Sequence, residues 1–147
     1  MAQAVETDVA QRLRGAVMRL SRLLRPTEAG SAAELSPTRV AVMFNVARNG
    51  PVRLAEVAAD EGLNPTLLSR TVAGLIDAGL LTRRPDPEDR RSAWLELTEP
   101  GVALVARIRT ERKAKVDRAL AALTPEEQAR IEAALPALEA LAAEIGE

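Results

Sequence analysis

Between Asn64 and Ala78 the side chains sort by helical spacing into two sets. Leu68, Val72, Leu75 and Gly79 fall on one side and are expected to face a core, whereas Thr66, Arg70, Ala73 and Asp77 fall on the other. The second set suits DNA. Thr66 and Ser69 carry hydroxyls that donate to phosphates or base edges, Pro65 offers apolar contact, and Arg70 reaches guanine or a phosphate. Small residues near the middle let a helix approach the floor of a major groove, and its first turn, opened by Asn64 as cap, points amides at phosphate oxygens. A second cluster follows at Pro85-Asp-Pro-Glu-Asp-Arg-Arg91, where Arg90 and Arg91 leave a charged turn. An Arg on such a tip fits the narrow minor groove, where the negative potential is strongest. Asp89 would repel phosphate unless paired, so it is expected to orient an Arg, either Arg91 or Arg70. Taken singly, an ordinary amphipathic helix explains the first cluster nearly as well as DNA binding does, and a solvated turn explains the second better; the pair together favours DNA.

Composition narrows the chemistry further. The 147 residues contain no Cys and no His. Disulfides, thiolate nucleophiles and cysteine-ligated metals are thereby excluded, and the commonest general base and transition-metal ligand is missing. No catalytic residue, metal ligand or cofactor motif is assigned, and the chain reads as a non-enzyme. The net charge of −1 means that DNA contact must come from locally arranged Arg rather than a global basic field. Phe44 and Trp94 are the only aromatics, too few to stack a single strand. No run approaches the roughly 18 apolar residues needed to cross a bilayer. The first residues show no secretory pattern, so no membrane partner and a cytoplasmic location are expected.

The elements that must position these residues follow from periodicity and caps. Thr7 to about Arg25 is helical and ends at Pro26; residues 27–34 read as a linker. Ser36-Pro37 starts a helix whose apolar face is Val40, Met43, Phe44 and Ala47, stopped by Asn49-Gly50-Pro51. Leu54–Glu61 is a short helix broken by Gly62. After the helix from Asn64, Leu80–Arg84 and Ala93–Leu97 form a hairpin, and Thr98 caps a helix to about Leu123. Thr124-Pro125 starts the last helix, which Pro136 should kink. The order ααααββαα, mainly α with a small β-hairpin wing, is a winged helix-turn-helix in one domain over 1–147. Residues 35–98 form the DNA-binding module, and 1–34 and 99–147 are mainly dimerisation helices.

The run Leu63-Asn-Pro-Thr-Leu-Leu-Ser-Arg-Thr-Val-Ala-Gly-Leu-Ile-Asp-Ala-Gly-Leu-Leu81, then Arg83-Arg-Pro-Asp-Pro-Glu-Asp-Arg-Arg-Ser92 and Leu95-Glu-Leu-Thr-Glu-Pro-Gly101, resembles the MarR (multiple antibiotic resistance regulator) family. Ser69 and Arg70 match its recognition helix, Asp89, Arg91 and Ser92 its wing, and Leu97, Thr98 and Gly101 the opening of the next helix. Leu67 and Gly74 depart from it, standing where the family often has a polar and a basic residue. The resemblance implies a homodimer on palindromic double-stranded DNA, one recognition helix per subunit in the major groove and Arg91 in the adjacent minor groove. It also implies repression relieved by a small aromatic or anionic effector in a cleft, with Met18, Arg22, Phe44 and Trp94 as candidate lining.

Val9, Leu13, Leu20, Ile131, Leu135, Leu138, Leu141 and Ile145 are the candidate dimerisation residues, because their apolar faces exceed what a winged-helix core of about 65 residues needs. The competing function is a winged-helix protein–protein interaction module without DNA binding, which the near-neutral charge keeps in contention.

Overall fold

The computed structural model describes residues 2–146, and their side chains from residue 8 onward. Two compact units divide the chain, Met1–Arg112 and Lys113–Glu147. The element order is α1 (Ala2–Leu24), α2 (Glu28–Ala32), α3 (Pro37–Asn49), β1 (Val52–Arg53), α4 (Leu54–Glu61), α5 (Pro65–Asp77), β2 (Leu81–Pro85), β3 (Ala93–Leu97), α6 (Glu99–Ala121) and α7 (Pro125–Gly146). The expected order therefore gains a short helix, α2, in the segment read as a linker, and a two-residue strand, β1, after the Gly50-Pro51 stop.

Helix α2 exists because its first amides find partners. Thr27 Oγ1 accepts from Gly30 N at 3.1 Å, and the Glu111 carboxylate of α6 accepts from Glu28 N at 2.7 Å and Ala29 N at 2.9 Å. Helix α3 starts as its sequence prescribes, with Ser36 Oγ accepting from Arg39 N. At the other end of α3 the fully buried Asn45 donates to Asp60 Oδ2 (3.2 Å) and Glu61 Oε1 (3.0 Å) of α4 and accepts from Asn49. A buried amide thus ties the two helices that precede α5.

In the first unit Val42, Met43, Val57, Leu68, Leu75, Leu95 and Ile108 are sealed from water. Each such aliphatic side chain contributes on the order of 1.5–3 kcal/mol by burial. The small antiparallel sheet has the order β1-β3-β2, with Leu81 opposite Leu97 and Pro85 opposite Ala93. The expected hairpin is present; β1 adds Val52 opposite Leu95 and Arg53 opposite Trp94.

One junction fixes α5, the hairpin and α6 together. Gly79 turns the chain with φ +73° and is exposed, so of the four residues expected to face the core, Leu68, Val72 and Leu75 do and Gly79 does not. The Thr98 hydroxyl donates to Gly79 O at 2.6 Å and accepts from Gly101 N at 3.1 Å, while Thr98 N donates to Leu80 O. A Cβ on Gly101 would overlap the Leu80 carbonyl, so only glycine lets α6 come this close. This is the physical content of the Leu-Thr-x-x-Gly pattern.

In the second unit Thr124 Oγ1 accepts from Glu127 N and the Glu127 carboxylate accepts from Thr124 N, a reciprocal cap. Gln128 donates to Leu120 O and Leu123 O, joining the end of α6 to the start of α7. Helix α7 continues through Pro136, and within this single chain none of its described residues is buried.

Candidate nucleic-acid interface

Helix α5 is held by its buried stripe and leaves the other free. Thr66, Ser69, Arg70, Ala73 and Asp77 are all exposed, as their spacing requires. Pro65 is exposed at the first position of the helix. Asn64 is partly committed, because its Oδ1 accepts from Leu67 N at 2.8 Å. With Pro65 lacking an N–H, and Leu67 N taken, the amide of Thr66 is the first-turn donor left for an anion. Leu67 keeps 43% of its surface exposed, an apolar side chain beside Arg70 on the outer half of the helix.

The hairpin tip is a built loop rather than a loose one. Asp86 N donates to Ser92 O, Ser92 N donates to Asp89 O, and Asp86 Oδ1 accepts from Glu88 N at 2.9 Å. The Asp89 carboxylate accepts from the backbone N of Arg91 at 2.9 Å. Asp89 therefore shapes the turn as an Asx residue and pairs with neither guanidinium, which corrects the expectation that it orients Arg91 or Arg70. Arg90 and Arg91 are exposed and form no ion pair among the described residues. Farther down the hairpin Arg84 is neutralised by Glu96 at 2.6 Å.

Asp86, one of three acids in the turn, has only 4% of its side chain exposed. Arg53 Nη2 approaches its Oδ2 at 3.1 Å, close enough for ion pairing although not aligned as a hydrogen bond. The same guanidinium lies 4.9 Å from the centroid of the Trp94 ring. Trp94 is thus a support for Arg53 on the wing sheet.

The cleft in the first unit lies elsewhere. A cavity of about 750 Å³ is lined by Leu24, Arg25, Leu35, Phe44, Leu63 and Arg112, among others. Of the four residues expected to line a cleft, Phe44 does; Met18, with 61% of its surface exposed, and Arg22 and Trp94 do not. Arg112, which sequence reasoning passed over as one more cation on a long helix, sits 5.0 Å over the Phe44 ring. Its Nη2 donates to Arg25 O at 3.4 Å, and its buried Nε has no partner among the described residues. Burial, and then the charge of Arg25, lower its pKa. Among the described residues no cluster of acids could hold a metal ion, and no helix is long and apolar enough to cross a membrane.

Two helices leading into an outward-facing α5, followed by an Arg-tipped hairpin, define a winged helix-turn-helix protein. The sequence model of the MarR family matches residues 35–93. A Mycobacterium bovis protein described as an HTH-type transcriptional regulator is 32% identical over 123 residues, 84% of this chain and 85% of that one. The HTH-type transcriptional regulator MhqR of Bacillus subtilis is 29% identical over 63% of this chain and 64% of its own. Among solved structures, a Mycobacterium tuberculosis protein superposes with a TM-score of 0.80 at 25% identity, covering 96% of this chain and 95% of that one. Wild-type MarR from E. coli shares the fold, with a TM-score of 0.75 at 20% identity over 88% of this chain and 94% of its own. The chain belongs to the MarR family, and it is a DNA-binding transcriptional regulator rather than an enzyme.

The wing support can be tested through Trp94, the chain's single tryptophan. Arg53→Ala strips a nearly buried carboxylate of its cation and should lower stability in urea by about 1–3 kcal/mol. The emission of Trp94 should shift at the same time. Unchanged stability and emission would show that Arg53 contributes nothing to the wing.

Proposed function

We propose that the protein is a cytoplasmic homodimeric repressor that lays α5 into the major groove of a palindromic operator and sets Arg91 of the wing into the neighbouring minor groove. Asn64, Pro65, Thr66, Ser69 and Arg70 then form the major-groove surface, with Asp89, Arg90 and Arg91 at the wing. Residues 35–98 carry the DNA-binding role, and 1–34 and 99–147 carry most of the dimerisation. The observation behind this reading is that the polar side of α5 is free along its length while Leu68 and Leu75 anchor the opposite side with none of their surface exposed. The wing supports it: two unpaired guanidiniums stand on a tip whose backbone is fixed by Asp86 and Asp89. Arg91→Ala should cost on the order of 1–3 kcal/mol of operator binding, and Arg70→Ala should weaken binding and blur base preference. Titration of upstream duplex at several salt concentrations measures both; retention of full affinity by both variants would remove these residues from the interface.

The proposed dimer rests on apolar surface that one chain leaves in water. On α7, Ile131, Leu135, Leu138, Leu141 and Ile145 keep between 40% and 78% of their surface exposed, at helical spacing. On α1, Val9 and Leu20 keep 58% and 60%, with Leu13 half-buried. Pairing of two copies through these faces would align two α5 helices with half-sites about one helical turn apart. Joint replacement of Leu138 and Leu141 by Glu should give monomers by light scattering; a dimer of unchanged mass would refute the assignment.

The cavity beside Phe44 and Arg112 supports an effector with an aromatic ring and an anionic group, since Leu24, Leu35 and Leu63 line it together with a half-buried Arg112 whose Nε has no partner among the described residues. Bound in that cleft, it would act by favouring the conformation with lower affinity for DNA. Benzoate should release duplex from the wild-type protein and lose this effect on Arg112→Ala. Equal release from both proteins, or from neither, would rule this cavity out as the benzoate site.

A further inference from the structure

Gly74 stands in the tenth position of a thirteen-residue helix, where glycine costs about 1 kcal/mol relative to alanine. The structure shows what occupies the space. A Cβ at Gly74 would overlap the guanidinium of Arg39, which comes across from α3 and lies against the bare backbone of α5; even its Cζ would be 2.9 Å away. The guanidinium is therefore seated on α5 rather than waving from α3.

Its electrostatic situation is incomplete. Arg39 is half-buried, yet no carboxylate lies within ion-pair distance of it among the described residues. Asp77, one turn beyond Gly74, is exposed and pairs with nothing there. One turn before Gly74 on the same side of the helix is Arg70, also exposed and also without a counter-ion. Two guanidiniums on one side of α5, one from the helix and one leaning on it, offer positive charge to an approaching anion. Because the Arg39 chain is already packed, little rotamer freedom remains to be lost when its planar fork meets phosphate oxygens.

We propose that Arg39 is a DNA-phosphate ligand, delivered to the flank of α5 by the missing side chain of Gly74. It rests on the reading that the outer side of α5 meets DNA, and it adds a contact from outside the helix-turn-helix reading surface. The contact fixes the position of α5 on the backbone and carries no base preference.

The test is the salt dependence of binding, using the duplex that the wild-type protein selects from a randomised pool. Arg39→Gln keeps the length of the side chain and removes the charge. It should weaken binding equally across duplex sequences and make the slope of log K against log salt shallower by about one per protomer. In the double variant Arg39→Ala, Gly74→Lys the vacated space admits a cation on α5 itself, and the slope should return. Arg39→Gln with unchanged affinity and slope overturns the proposal. So does weaker binding at an unchanged slope, which is the mark of a packing role. A slope that falls and is not returned by the double variant overturns the seat on Gly74. Arg70→Ala, measured alongside, separates these outcomes from failure of the α5 interface: if it too leaves binding untouched, the surface is wrong and not Arg39 alone.

Discussion

The hydroxyl of Thr98 joins three elements that have to keep one geometry. It donates to the carbonyl that ends the α5 turn and accepts from the amide of Gly101 in the first turn of α6. Between these bonds runs the hairpin, whose strands β2 and β3 begin and end at the same spot. The angle between α5 and the wing is thus set at one side chain, backed by a glycine that no larger residue can replace without displacing the Leu80 carbonyl. A groove-reading helix and a groove-reading tip are useful only if their separation matches the duplex. The junction is where that separation is determined.

Around it, the polar and charged residues divide by task. Asp86, Asp89 and Asn64 spend their oxygens on backbone amides, Arg84 spends its charge on Glu96, and Arg53 spends its own between Asp86 and Trp94. Arg70, Arg90, Arg91 and Arg39 form no ion pair among the described residues, nor does Asp77 on α5. With a net charge of −1 for the whole chain, attraction for an anion has to come from the local placement of these guanidiniums rather than from a global field.

Much of this was legible in the sequence, wherever a local rule decides the structure. Ser36-Pro37 and Asn64-Pro65 mark real helix starts, the period-two run Ala93–Leu97 is a strand, and the polar side of α5 is where the spacing puts it. What escaped is what depends on distant partners. The helix α2 is capped by Glu111, 83 residues from Glu28, and no window around Thr27 contains that carboxylate. Asp86 looks like any acid in a turn until Arg53 comes beside it from β1. Trp94 entered as candidate cleft lining through the family resemblance, whereas its neighbour on the sheet is the cation Arg53. The cavity itself gathers residues from 21 to 112, and its half-buried guanidinium belongs to a helix whose residues mostly face solvent.

The packing of Arg39 on Gly74 also bears on how such chains are compared. Column by column, position 74 records a lost side chain and position 39 an unremarkable cation on another helix. In space they are a single unit, so that a homologue carrying a bulky residue at 74 must send the position-39 side chain elsewhere. Covariation between these two columns, rather than the identity of either, is the signature such an arrangement would leave in evolution.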